Sequence, residues 1–154
     1  MIPIVGTTSS AARTSGHEMP ANEISGGGVP ASLVANWKAE MEKFAPSLNA
    51  AYLHPSEMSV DAMAAMAAQP KRALESVDVV VTTYGMLQRQ SWLLERQWRL
   101  LVLDEAQAIK NPATRQTRSV KRLQADARIA LTGTPIENRL SDLWSLFDFL
   151  NPGL

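Results

Sequence analysis

Leu100-Leu101-Val102-Leu103-Asp104-Glu105-Ala106-Gln107 is the stretch on which the fold turns. Four apolar residues in a row, without alternation, predict a strand buried on both faces, and the switch to Asp-Glu marks its carboxyl end. Upstream, Val77-Asp78-Val79-Val80-Val81-Thr82-Thr83 predicts a second strand, rich in β-branched residues. Downstream, Arg128-Ile129-Ala130-Leu131-Thr132 predicts a third. Around them the apolar period is helical. Ser32 caps a helix with Leu33, Val34, Trp37, Met41 and Phe44 on one face, stopped by Pro46. Ser59 opens a Met/Ala-rich helix through Ala68, ended by Pro70, and Asn111-Pro112 launches a helix running to Gln124. Leu140, Leu143, Trp144 and Phe147 share one face of a last helix and are expected in the core. Short buried strands alternating with helices predict an α/β fold with a parallel sheet covered on both faces.

Composition narrows the class further. The 154 residues, 45% hydrophobic and 19% charged, fit one domain with a real core. Fifteen basic side chains face fifteen acidic ones, which excludes nucleic-acid binding by bulk charge alone. The absence of cysteine excludes disulfides, thiolate metal sites and thiol chemistry. No run approaches the ~20 apolar residues of a membrane helix, and Met1–Gly6 lacks the pattern of a signal peptide. The expectation is a cytoplasmic protein without a membrane partner. Residues 1–29 hold most of the glycines, few charges and no sustained period, and they predict a disordered, unrelated tail before a domain over 30–154. The triplet Gly26-Gly27-Gly28 runs into Val29-Pro30, whereas a phosphate-cradling loop needs Gly-Lys-Ser/Thr.

Candidate chemistry gathers at strand ends, where open α/β sheets bind ligands. Four apolar residues followed by Asp104-Glu105 have the form of a Walker B element. The aspartate can hold Mg²⁺, and the glutamate can orient and deprotonate an attacking water. At the next strand exit, Leu131-Thr132-Gly133-Thr134-Pro135 presents two hydroxyls on a tight turn, suited to sensing a γ-phosphate. Six basic residues, Lys110, Arg115, Arg118, Lys121, Arg122 and Arg128, stand against Asp126 alone and offer a patch for phosphates or a partner lobe. His17 and His54 lack metal-spaced partners. Met58, Met63 and Met66 read as packing or a lobe surface, not a cofactor box, and Trp37, Trp92, Trp98 and Trp144 read as core.

Taken together, these motifs resemble the first RecA-like lobe of the Swi/Snf family of helicase-like, DNA-stimulated ATPases in helicase superfamily two. Pro30-Ala31-Ser32-Leu33 with Asn36-Trp37 resembles motif Ia, and Thr82-Thr83-Tyr84 resembles motif Ib. Asp104-Glu105-Ala106-Gln107 with Ile109-Lys110-Asn111 resembles motif II, and Leu131–Pro135 with Asn138 resembles motif III. The helix from Leu140 through Trp144, with Phe149–Gly153, is similar to the one that follows in the family. The resemblance implies catalytic roles for Asp104, Glu105 and Gln107, with Asp104 holding the metal. It implies nucleotide contacts at Asp104, Thr132, Gly133 and Thr134. It places nucleic-acid contacts at Ser32, Asn36, Thr82, Thr83 and Tyr84. It also implies ATP and Mg²⁺ as cofactors of the intact parent and double-stranded DNA as its partner.

The departures are specific. No glycine in the chain is followed by lysine, so the P-loop of motif I is missing, and so is a second lobe with its arginine finger. The chain is expected to be a fragment that bound neither cofactor tightly by itself, with the P-loop segment and the second lobe as its missing partners. The alternative is a catalytically inactive remnant or interaction module of the same fold. An RNA helicase of the DEAD-box kind is disfavoured because Thr132-Gly133-Thr134 stands where that kind has Ser-Ala-Thr. The Walker B strand, lacking its P-loop neighbour, is expected to leave an unpaired edge.

Overall fold

The computed structural model describes residues 3–7, 33–133 and 140–153. In chain order these form β1 (Pro3–Thr7), α1 (Leu33–Phe44), β2 (Ala50–Leu53), α2 (Val60–Ala68), α3 (Pro70–Ala73), β3 (Val79–Thr83), α4 (Tyr84–Arg89), β4 (Gln97–Leu103), α5 (Arg115–Lys121), β5 (Gln124–Ala130) and α6 (Leu140–Leu150). The fold is α/β, as expected. The strands make one five-stranded sheet in the order β2-β3-β1-β4-β5.

β2 pairs parallel with β3, and β4 pairs parallel with β5. β1 lies between β3 and β4 and runs antiparallel to both. Two expectations change here. The tail foreseen over residues 1–29 is extended strand at Pro3–Thr7, and the predicted bare edge of the Walker B strand is covered, with Ile4 opposite Leu103 and Thr7 opposite Leu100. The physical reason is that β3 and β4 each carry a row of backbone N–H and C=O groups that need partners once buried. A short extended segment of either direction can supply them. Residues 8–32, and with them Ser32 and the glycine triplet, lie outside the described residues.

The pleat sorts side chains onto two faces. Val79 and Val81 face a smaller cluster with Trp37 and Met41 of α1, Leu48, Tyr52 and Val102. Val80, Leu101 and Leu103 face the larger core, with Leu53, Met63, Leu87, Leu93, Trp98, Ile109, Val120, Leu123 and Phe149. β3 is buried at every residue, which explains its unbroken β-branched run.

Several boundaries move for identifiable reasons. β2 escaped the sequence reading because Ala50–Leu53 is only four residues long. Ser59 caps α2 as expected, its hydroxyl accepting from the Ala62 amide, but Pro70 starts α3 instead of ending the run, as proline at a first helical position can. α5 is capped by Thr114, whose hydroxyl accepts from the Thr117 amide, because the Asn111 side chain is engaged by the Ala113 amide one turn earlier. β5 begins at Gln124, where its ladder with β4 starts opposite Gln97. Among the α6 side chains described, those of residues 143–150, the buried ones are Ser145 and Phe149, while Trp144 is 66% exposed and Phe147 50%. The helix is thus turned by about one residue from the expected face, drawn round by the Ser145 hydroxyl, which donates to the Ile109 carbonyl at 2.6 Å. Phe44 is likewise 50% exposed at the end of α1.

Removing residues 1–7 is expected to bare the facing edges of β3 and β4 and cause self-association. Amide hydrogen exchange and sedimentation check this: the shortened chain should lose protection across Leu100–Leu103 and gain mass, while the full chain keeps both protection and monomer mass.

Candidate functional site

The parallel register brings the strand ends into one row. Leu53 stands opposite Thr82, Thr82 and Leu103 both stand opposite Ile4, and Leu103 stands opposite Ala130. The segments that leave this row are those singled out by sequence: Thr83-Tyr84 from β3, Asp104-Glu105 from β4, and Leu131-Thr132 from β5. Backbone bonds lock the last two together. The Leu131 amide donates to the Leu103 carbonyl at 2.8 Å, and the Ala106 amide donates to the Leu131 carbonyl at 2.8 Å.

Asp104 is gripped at both oxygens. Oδ1 accepts from the Glu105 amide at 2.8 Å and Oδ2 accepts from the Trp37 indole Nε1 at 3.0 Å. Glu105 itself is left-handed, with φ 49° and ψ 49°, and is the sole non-glycine of positive φ among the described residues. That conformation costs a β-carbon-bearing residue about 1–2 kcal/mol, strain of the kind that collects at working sites. It turns the Glu105 side chain toward Gln107, whose Nε2 donates to Glu105 Oε2. Gln107 Oε1 in turn accepts from the Thr132 hydroxyl at 2.8 Å. One amide side chain therefore bridges the glutamate after β4 and the hydroxyl after β5.

This donor set fits Mg²⁺ of a particular kind. Among the described residues there is no cluster of three or more His, Cys, Asp or Glu side chains, so they form no all-protein cage. A single carboxylate completed by phosphate oxygens and water is the arrangement Mg²⁺ prefers. The phosphate cradle is a different matter, since the chain has no Gly-Lys pair. Gly133 is exposed beside Thr132, and Thr134, Pro135 and Asn138 lie outside the described residues.

The residues proposed to meet nucleic acid divide. Asn36 is exposed on α1. Thr82, Thr83 and Tyr84 are buried, 3–4% exposed, so their side chains offer no docking surface here. The Thr82 hydroxyl donates to the Leu53 carbonyl at 3.0 Å and the Thr83 hydroxyl accepts from the Met86 amide, capping α4. The basic patch is also partly used internally. Lys121 pairs with Asp148 at 2.6 Å. Arg128 donates to the carbonyls of Phe149 and Leu123 and lies over the Phe149 ring. Burial lowers the Arg128 pKa, against the opposing pull of Asp148. Lys110, Arg115, Arg118 and Arg122 remain exposed. Trp92 and Trp98 are core, as read, and the His54 ring accepts from the Ser56 amide in a turn. Sequence reasoning missed Trp37, since its helical spacing signals only an apolar face and its partner lies 67 residues away.

Tyr84 carries the oddest polar atom near the site. Its hydroxyl is buried and, among the described residues, without a hydrogen-bond partner. Burial, and then the negative charge of Asp104, push its pKa well above the usual phenol range. Tyr84→Phe removes this orphan at constant ring volume, so stability should hold or rise by about 1 kcal/mol. Urea unfolding checks it; a loss of that size would instead reveal a partner for the hydroxyl.

Comparison with known proteins places these observations. The SNF2-related domain family matches residues 28–154. YwqA of Bacillus subtilis, named as an ATP-dependent helicase/translocase, is 43% identical over 127 residues, covering 80% of this chain and 13% of that protein. The TATA-binding protein-associated factor mot1 of Aspergillus fumigatus is 41% identical over 126 residues, covering 80% of this chain and 6% of that one. Among solved structures, the Sulfolobus solfataricus SWI2/SNF2 ATPase core in complex with dsDNA matches with a TM-score of 0.64 and 44% identity, over 80% of this chain and 24% of that one. The chain thus spans between 6% and 24% of the length of these relatives.

Proposed function

Because the chain belongs to the SNF2-related family of helicase-like ATPases, we propose that it forms the Walker B half of a first RecA-like lobe in an ATP-dependent DNA translocase. The observation that carries this reading is the array Asp104–Glu105–Gln107–Thr132, joined by hydrogen bonds at the carboxyl ends of β4 and β5. Mg²⁺·ATP, when bound, supplies the phosphoryl group to be transferred. Asp104 would hold the metal, its carboxylate already oriented by two N–H donors. Glu105, aimed by its left-handed backbone, would take the proton of the attacking water. Gln107 and Thr132 link that glutamate to the turn after β5, so a change at the phosphate end is felt there. Duplex DNA is the proposed partner, supported by the Sulfolobus complex, and Asn36 is the exposed candidate to meet it.

In a protein that joins this lobe to a P-loop and a second lobe, Glu105→Gln should retain nucleotide binding and lower DNA-stimulated turnover by ~10²-fold or more. Asp104→Ala should also weaken Mg²⁺-dependent nucleotide binding. Near-normal phosphate release by Glu105→Gln would remove the role given to Glu105.

A second reading, an inactive interaction module of the same fold, is favoured by one observation: no Gly-Lys pair exists to cradle phosphates. The chain alone is therefore expected to show no micromolar affinity for Mg²⁺·ATP in calorimetry and no DNA-stimulated hydrolysis. Micromolar binding would show that other residues replace the P-loop.

A further inference from the structure

Trp37 connects two parts of the molecule that the sequence keeps apart. It sits on α1, on the sheet face opposite the main core, half-buried against Val79 and Val81 with Met41. Its indole N–H reaches across to Asp104 Oδ2 at 3.0 Å. Asp104 Oδ1 is held by the Glu105 amide at 2.8 Å, so two donors from different elements define the plane of the carboxylate. A carboxylate oxygen has two lone pairs. Each oxygen therefore keeps one free for a further ligand, in an orientation the indole helps to set. The same turn of α1 carries exposed Asn36, and Lys38 pairs with Glu57 at 2.8 Å in the segment after β2. A tryptophan whose N–H were merely solvated, or whose ring only filled space, would do none of this.

We propose that Trp37 is a positioning residue for Asp104, whose indole N–H orients the carboxylate for a divalent cation and makes cation binding depend on the placement of α1. The proposal rests on the assignment of Asp104 as the metal ligand. Outer donors that orient a ligating group commonly contribute 10–100-fold to metal affinity. Trp37 touches no reacting atom; it acts through Asp104.

The test uses the 154-residue chain, labelled with ¹⁵N, and the bare ions Mn²⁺ and Mg²⁺. The four tryptophans give separate indole N–H signals, and Trp37→Phe identifies the one in question. In the unaltered chain, Mg²⁺ should shift the Trp37 signal and leave those of Trp92 and Trp98 in place, and Mn²⁺ should broaden it first. Asp104→Ala should abolish both effects. Trp37→Phe should weaken Mn²⁺ binding, followed by water-proton relaxation, by about tenfold while the unfolding midpoint stays within the range of a conservative core change. An unmoved Trp37 signal, or unchanged Mn²⁺ affinity in Trp37→Phe, overturns the positioning role and leaves the Asp104 assignment standing wherever Asp104→Ala still abolishes binding. Mn²⁺ binding indifferent to Asp104→Ala overturns the metal assignment and this inference with it.

Discussion

Two parallel strands that end side by side without touching set the terms for everything else in this molecule. β3 is buried throughout, β4 buries Trp98, Leu101 and Leu103, and one strand width separates the two, so the gap between them must be filled by backbone. β1 fills it in the antiparallel sense, pairing five residues with β3 and four with β4. Once that gap is closed, the register across the sheet is determined. Leu53, Thr82, Leu103 and Ala130 fall in a row, and the polar segments that follow them are delivered to one edge.

At that edge local strain and long-range bonding support each other. Glu105 takes a left-handed backbone that its own side chain disfavours, and it holds that shape because neighbours on both sides are fixed. The Asp104 carboxylate receives the Glu105 amide, and the Ala106 amide is taken by the Leu131 carbonyl after β5. The side chains follow suit: Glu105 meets Gln107, and Gln107 meets Thr132. The motifs after β4 and β5 are thus one hydrogen-bonded unit, 25 residues apart along the chain between Gln107 and Thr132.

Burial separates residues of similar chemistry. The two threonines that end β3 lie inside, where the Thr82 hydroxyl ties strand to strand and the Thr83 hydroxyl caps α4, and Tyr84 is buried beside them, while Asn36 faces outward on α1. α6 shows the reverse displacement. Its apolar residues Trp144 and Phe147 lie outward because Ser145 and Phe149 are drawn against the Ala106–Ile109 turn and β5. Arg128 supports that docking from the strand side through the Phe149 carbonyl and ring. In the basic segment, the same logic withdraws Lys121 and Arg128 from the surface patch and leaves the others outside.

The family resemblance drew attention to Gln107, whereas local pattern alone determined the α/β class, the strands at Val79–Thr83 and Leu100–Leu103, the Ser59 cap, and Asp104, Glu105 and Thr132 as residues of interest. These are matters of unbroken apolar runs, cap chemistry and acidic or hydroxyl residues at strand exits, all of which act within a few residues. Whatever depended on a partner distant in sequence was decided by the tertiary structure. β2, whose Ala-Ala-Tyr-Leu holds no β-branched residue, and β1, whose Pro-Ile-Val-Gly-Thr holds a proline and a glycine, have too little strand pattern of their own and exist through the edges they pair with. Which stripe of α6 is buried was decided by Ser145 and Phe149, because a helix with apolar residues over more than half its circumference has several faces to offer. Trp37 became part of the site for the same reason: its spacing marks an apolar face, but only folding brings its N–H within 3.0 Å of Asp104. Hydrogen bonding and packing across the sheet act through space, and a periodicity along the chain carries no record of them.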